Sequence, residues 1–317
     1  MNIKKFVLII VAILIVAGIG VLAVFGKNKT EKNDKIKVVA SNFASYDFLR
    51  AIIGDNQNID LTFLLGPGKE AHSYDPTAQD LIKIQNADLF VYIGGEMEKW
   101  SDKVIESLDN NQKEIIRISD FVDTIEEQEI DGAEEEEEEE EGAFDEHIWT
   151  SPENAIKMVE ALEKEMEKID SKNAENYKRN ANNYIAKINE VDQKIKEVVE
   201  NRKRDRLIFA DKMPMQYFIN YYDLKVSAAF SGCSTEVDPS AQTIAYLQDK
   251  VKEEKIPVIL YIELNPGTVA RTIANETGTK AMQIQTLHNV SLDDFKNGET
   301  WVSLMNRNVE VLKAALQ

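Results

Sequence analysis

Short apolar runs alternate with amphipathic stretches from residue 36 to the end of the chain, a pattern that predicts strands joined by crossover helices. Ile36–Ala40, Ile59–Leu65, Leu89–Ile93 and Glu114–Ile118 read as one set of strands. Leu207–Ala210, Val226–Phe230, Val258–Ile262 and Ala281–Leu287 read as a second. Helices are expected from near Ala44, over Thr77–Ile84 with Thr77 as cap, after Ser151-Pro152, over Ser240–Lys252 and from about Gly298 to Leu316. Between the two sets, Ser171 to Arg202 contains neither Gly nor Pro. Its apolar positions Tyr177, Ala181, Tyr184, Ile188, Val191, Ile195 and Val198 recur at three- and four-residue steps, the stripe of a single long helix. Such a helix is about 45 Å long, enough to span two lobes. A coiled coil is the other reading, but only about four heptads are available and the steps are loose. The fold class is therefore α/β: two lobes, each a mainly parallel sheet flanked by helices, joined by one long helix. The boundaries fall at 36–170, 171–203 and 204–317.

Two segments break this rhythm. Phe6–Phe25 is a continuous apolar run of about 20 residues, the length of a membrane-spanning helix. Lys4 and Lys5 precede it, which predicts a cytoplasmic N-terminus and an exported remainder. Residues 1–26 thus read as a membrane anchor or a cleaved signal, and 27–35 as a tether. No cysteine lies near the end of the run, which argues against a lipid-anchored signal. The expected location is extracytoplasmic, on a bacterial cell surface, or secreted if the segment is cleaved. The second break is Glu126–Gly142, with eight consecutive glutamates at Glu134–Glu141. Like charges at this density predict a mobile loop, either a solvated spacer or a weak collector of cations.

The net charge of −19 argues against a nucleic-acid partner, which needs a basic face, and favours cations near the surface. A hydrophobic content of 43% supports a well-filled core over residues 36–317. Cys233 is the lone cysteine, so the chain has no internal disulfide. A single cysteine reads as a small buried hydrophobe, or as a metal ligand.

Three histidines carry the candidate chemistry: His72 in Glu70-Ala71-His72-Ser73-Tyr74-Asp75-Pro76-Thr77, His147 in Phe144-Asp145-Glu146-His147-Ile148-Trp149, and His288 in Leu287-His288-Asn289-Val290. Imidazole is the commonest zinc ligand, and these segments could assemble one site. Spacing alone is equally compatible with three unrelated histidines. Asp211, Glu263 and His288 each follow a predicted strand, at the sheet edge where α/β folds bind ligands.

The chain resembles the metal-binding proteins of ABC importers for zinc and manganese, two-lobed solute-binding proteins with a rigid linking helix. Ala71-His72-Ser73-Tyr74-Asp75-Pro76-Thr77 followed by Asp80-Leu81 is similar to that family's first ligand motif. Asp145-Glu146-His147-Ile148-Trp149 with Ser151-Pro152 is similar to the second. The third motif lacks its histidine. Counting back from Tyr217-Phe218 puts Lys212 in the ligand slot, whereas counting forward from the strand puts Asp211 there. Where the family usually has a late aspartate, this chain has His288. The resemblance therefore implies His72, His147, Asp211 and His288 as ligands, with Glu263 and Glu236 in reserve. Three imidazoles and one carboxylate suit zinc, and manganese is the alternative. Binding is expected to weaken below about pH 6 as imidazoles protonate. The implied partner is an ABC permease, and the implied role is transport, not catalysis. A zinc hydrolase is the competing reading, but there is no His-Glu-x-x-His motif to support it. A surface adhesin is a third.

Overall fold

The computed structural model describes residues 35–108, 113–134, 143–234 and 238–317. The apolar run Phe6–Phe25, the tether over 27–34 and the reserve ligand Glu236 lie outside the described residues. Among the described residues no helix is long and apolar enough to cross a membrane.

Among the described residues, eight strands form two four-stranded sheets: β1 Ile36–Ala40, β2 Ile59–Phe63, β3 Leu89–Tyr92, β4 Glu114–Arg117, β5 Arg206–Lys212, β6 Lys225–Phe230, β7 Val258–Ile262 and β8 Lys280–Ile284. Their orders are β2-β1-β3-β4 and β6-β5-β7-β8, and every pairing is parallel. The second sheet thus repeats the connectivity of the first. Parallel sheets need cover on both faces, and the strands comply. Val38 and Val39 point to opposite sides of β1 and join different apolar clusters, as do Ile208 and Phe209 of β5.

The linking helix runs over Ala174–Glu200 after a short 3₁₀ turn at Ser171–Asn173. All seven residues of its predicted stripe are buried. It packs on the helices Phe43–Ile53 and Pro152–Ile169 beside the first sheet and on Trp301–Leu316 beside the second. One apolar cluster accordingly continues from β1 and β3 through Ile188 to β5 and β7. Ile36–Gln317 forms one compact unit.

Several boundaries differ from expectation, each for a local reason. Helix Trp301–Leu316 starts later than predicted because Thr300 and Ser303 form a reciprocal cap. Strand β8 stops at Ile284 because the Gln285 N–H turns to Asn308 Oδ1, 2.8 Å away. Strand β5 continues to Lys212 through a register shift between Phe209 and Lys212, a bulge that apolar patterning does not reveal. Helices at Trp100–Ser107, Gln216–Tyr221, Thr268–Thr277 and Leu292–Lys296 carried no clear signal in the sequence pattern.

Residues 135–141 of the glutamate run, on which the expectation of a mobile loop rests, lie outside the described residues, whereas 126–134 are tied to the second sheet. Glu126 bridges to Phe144, Asp131 pairs in parallel with Ser227 at the edge of β6, and Glu134 N–H donates to Ala229 O at 3.0 Å. Asp131 also accepts from Arg206 and from Ser227 Oγ, both at 3.0 Å. These acidic side chains find counter-charges and donors on the second sheet, so this stretch is anchored.

Candidate metal centre

His72 lies in the loop between β2 and the helix Ala78–Gln85. The loop is fixed from the opposite lobe: Gly68 N–H donates to Val290 O at 2.8 Å, and Asn289 Nδ2 donates to Gly66 O and Lys69 O at 3.0 and 2.7 Å. The segment carrying His288 therefore holds the segment carrying His72.

His147 precedes the helix that Ser151 and Pro152 begin. Asp145 Oδ1 accepts from both the backbone N–H and Nδ1 of His147, each at 2.8 Å. The carboxylate fixes the ring so that Nε2 carries the free lone pair, as metal-binding histidines require. Tyr217 Oη from the second lobe donates to Asp145 O at 2.8 Å. Trp149 stands beside the His147 ring and donates Nε1–H to Thr286 O at 3.0 Å.

His288 sits four residues beyond the end of β8. Glu263, directly after β7, accepts from Thr286 N–H at 2.7 Å, Thr286 Oγ1 at 2.8 Å and His288 N–H at 3.0 Å. Leu287 adopts φ +62°, a left-handed conformation that a bulky residue rarely takes. This turn is held by the hydrogen bonds on either side of it and points His288 back toward the first lobe.

The three imidazoles converge. Ring centroids lie 4.7 Å apart for His72–His288, 5.1 Å for His147–His288 and 5.5 Å for His72–His147. One donor atom from each falls within 4.8 Å of the others. All three Nε2 atoms are buried and make no hydrogen bond among the described residues. Leaving a buried polar atom unpaired costs about 1–3 kcal/mol, and three such atoms aimed at one point are the signature of a shared ligand. Burial holds the His72 and His288 pKa values well below 6.5, and the neighbouring imidazoles and Lys212 add to the effect. Burial also opposes charge on His147, but the charge and hydrogen bond of Asp145 outweigh it, and the His147 pKa is raised above 6.5.

The carboxylates fall differently from the sequence expectation. Asp211 does not join the cluster: its oxygens accept from Lys212 N–H at 2.9 Å and Ile262 N–H at 3.4 Å. A register shift in β5 falls between Phe209 and Lys212, where Asp211 sits. Lys212 is buried, donates to Ser234 O at 3.2 Å and pairs with Glu70 at 3.2 Å. Glu263 is occupied in positioning the His288 turn. Glu70 is the carboxylate that approaches the free nitrogen of His288, with Oε1 3.8 Å from Nε2. Its side chain is 41% exposed, which leaves it room to swing. Glu70 and Asp145 both escaped the sequence reading. The signal was present in their spacing, each two residues before a histidine, where a short carboxylate can reach the histidine's own backbone N–H.

Comparison with known proteins agrees with this architecture. A family model described as zinc-uptake complex component A, periplasmic (ZnuA), matches residues 38–315. The zinc-binding lipoprotein AdcA of Streptococcus pneumoniae is 31% identical over 291 residues, covering 90% of this chain and 57% of AdcA. The chain therefore spans little more than half the length of that relative. The high-affinity zinc uptake system protein ZnuA of Bacillus subtilis is 30% identical over 287 residues, covering 90% of this chain and 89% of its own. The Zn(II)-bound ZnuA-like domain of the streptococcal AdcA superposes with a TM-score of 0.75 at 30% identity, over 89% of this chain and 99% of that one. The metal-dependent lipoprotein YcdH of Bacillus subtilis gives a TM-score of 0.76 at 29% identity, with the same coverage. With a match over nearly all of residues 36–317, the repeated parallel sheets and the converging imidazoles, this chain belongs to the ZnuA family of zinc-uptake components.

Proposed function

We propose that this chain is an extracytoplasmic solute-binding protein that captures a divalent transition metal, zinc foremost, between its two lobes and delivers it to an ABC permease. The observation that carries this reading is the set of three buried, unpartnered Nε2 atoms of His72, His147 and His288, two from one lobe and one from the other. Neutral nitrogen donors at this spacing suit tetrahedral zinc, with bonds of about 2.0–2.1 Å after a modest closing of the rings. Manganese favours a site richer in oxygen.

The fourth donor in this reading is Glu70, drawn in from 3.8 Å. Asp211, the ligand expected from the sequence, would have to give up two backbone N–H groups to serve. Glu70 also pairs with Lys212, so its recruitment leaves that ammonium to Ser234 O and to solvent. A transport role, not a hydrolytic one, fits a cluster whose histidines are closed in by Trp149 and by the interlobe loop contacts. A hydrolase needs an open coordination position for water.

The test is metal analysis of the chain purified without chelator, followed by competitive titration with zinc and manganese. A bound zinc that manganese fails to displace, lost in His72→Ala and in His288→Ala, supports the proposal. Undiminished zinc binding in both variants would overturn it. Glu70→Gln should weaken zinc binding more than Asp211→Asn does.

A further inference from the structure

A second group of donors adjoins the three imidazoles on the His147 side. A ring nitrogen of His147, a carboxylate oxygen of Glu146 and Sγ of Cys233 lie within 4.8 Å of one another. Cys233 Sγ lies 2.5 Å from Glu127 Oε1 and 3.1 Å from Glu146 Oε2, and its single S–H proton serves one of the two carboxylates at a time. The other Glu146 oxygen accepts from Met97 N–H at 2.9 Å. Both partners of this fully buried carboxylate are neutral. A buried carboxylate held only by neutral donors gains from a cation more than an exposed one does.

The backbone is shaped to bring these groups together. Gly95 has φ +81°, and a Cβ there would sit 2.5 Å from Glu146 Cγ. At Gly232 a Cβ would come within 3.1 Å of Pro214 Cα and 3.4 Å of His147 Cε1. The segment before Cys233 thus lies directly against the imidazole edge. Glu127 and Cys233 are partly exposed, whereas Glu146 and His147 are buried, so the donors run from the surface inward. At the inner end stands the His147 ring, whose Nδ1 is taken by Asp145 and whose Nε2 is free.

The geometry points to a second, sulfur-containing cation position, made by Glu127, Glu146, Cys233 and His147, that takes a thiophilic divalent ion such as zinc, cobalt or cadmium. Thiolate, carboxylate and imidazole together match the preferences of these ions. Binding releases the thiol proton to solvent and forms a metal–sulfur bond, with no change of oxidation state. The position shares His147 with the imidazole cluster, so an ion held there stands one ligand exchange from His72 and His288. That exchange rests on the proposed zinc reading; capture at Cys233 does not.

Cobalt reports the two positions separately, because only a cobalt–thiolate bond gives a sulfur-to-metal charge-transfer band in the near ultraviolet. The full chain, stripped of metal, is titrated with cobalt in parallel with Cys233→Ser and a His72→Ala/His288→Ala double variant, each checked for folding by circular dichroism. The expected result is a charge-transfer band in the unaltered protein, retained in the double variant and lost in Cys233→Ser. Cadmium stoichiometry should fall by one ion per chain in Cys233→Ser. Saturation with cobalt that yields only the visible bands of nitrogen and oxygen ligation would overturn the inference and leave the imidazole reading standing. A thiolate band that survives in the double variant while zinc binding is unchanged there would instead sink the imidazole reading alone.

Discussion

His147 and its two imidazole neighbours reach the same point by opposite electrostatic routes. Burial keeps His72 and His288 neutral well below pH 6.5, so an ion meets their lone pairs without displacing a proton. Asp145 raises the His147 pKa against its burial, so this ring protonates first as the pH falls. The early expectation of a joint loss below about pH 6 is therefore refined. Zinc affinity should begin to fall on the neutral side of 6.5, by about tenfold per pH unit, the slope of one competing proton. Competition titrations from pH 8 to 5.5 would check this, and a slope of two or three protons near neutrality would contradict it. Metal-free stability has its own sign. With folded pKa values lowered, His72 and His288 leave the unfolded chain to bind protons first, so stability is lost as pH falls below 6.5. His147, with its pKa raised, contributes stability below 6.5 that disappears as pH rises through its folded value. Buried Glu98, whose folded pKa desolvation raises to about 7, acts with His147, since a carboxyl that protonates more readily when folded adds stability as the pH falls. At this scale the sequence was informative about histidine and poor about carboxylate. A histidine in a chain with only three stands out, whereas Glu70 and Asp145 are two among 56 acidic residues, distinguishable only by where they point.

The elements that carry the ligands are loops held by buried carboxylates at strand ends. Glu263 is the chief example, with three hydrogen bonds fixing Thr286 and His288 beyond β8. Glu263→Ala would leave two buried N–H groups and a hydroxyl without their acceptor. The expected cost is roughly 3 kcal/mol of folding stability, read from denaturant unfolding, together with weaker zinc binding as the His288 turn relaxes. An unchanged unfolding midpoint would show that the turn is held by other means. Most strands and the long helix were legible because burial on both faces of a parallel sheet, or along one helical stripe, leaves a periodic trace. The bulge in β5 left none. A bulge is set by how β5 fits against its neighbours, and it falls where the sequence offers Asp211 and Lys212 as alternatives.

Across the whole molecule the linking helix and the shared apolar cluster make the two sheets mechanically one body. Polar contacts reinforce it: Trp301 Nε1–H donates to Trp149 O at 2.9 Å, and Trp301 N–H to buried Asp47 at 2.7 Å. Metal-free unfolding should accordingly be a single cooperative transition, with fluorescence and far-ultraviolet dichroism coincident. Two resolved transitions would show that the lobes fold separately. Zinc at a thousandfold excess over its Kd should then add about 4 kcal/mol to the unfolding free energy.

The sequence by itself determined the class of the fold, the long helix, and the three residues that could donate nitrogen, because hydrophobic periodicity and scarce residue types are local properties of the chain. Tertiary structure alone decided that those nitrogens converge, that Asp211 accepts from Lys212 and Ile262 N–H while Glu70 stands near His288, and that Cys233 comes close to His147. Those outcomes depend on a bulge, a left-handed Leu287 and two loops hydrogen-bonded across a cleft. Each is a relation between segments far apart in sequence, and no single window of the chain encodes it.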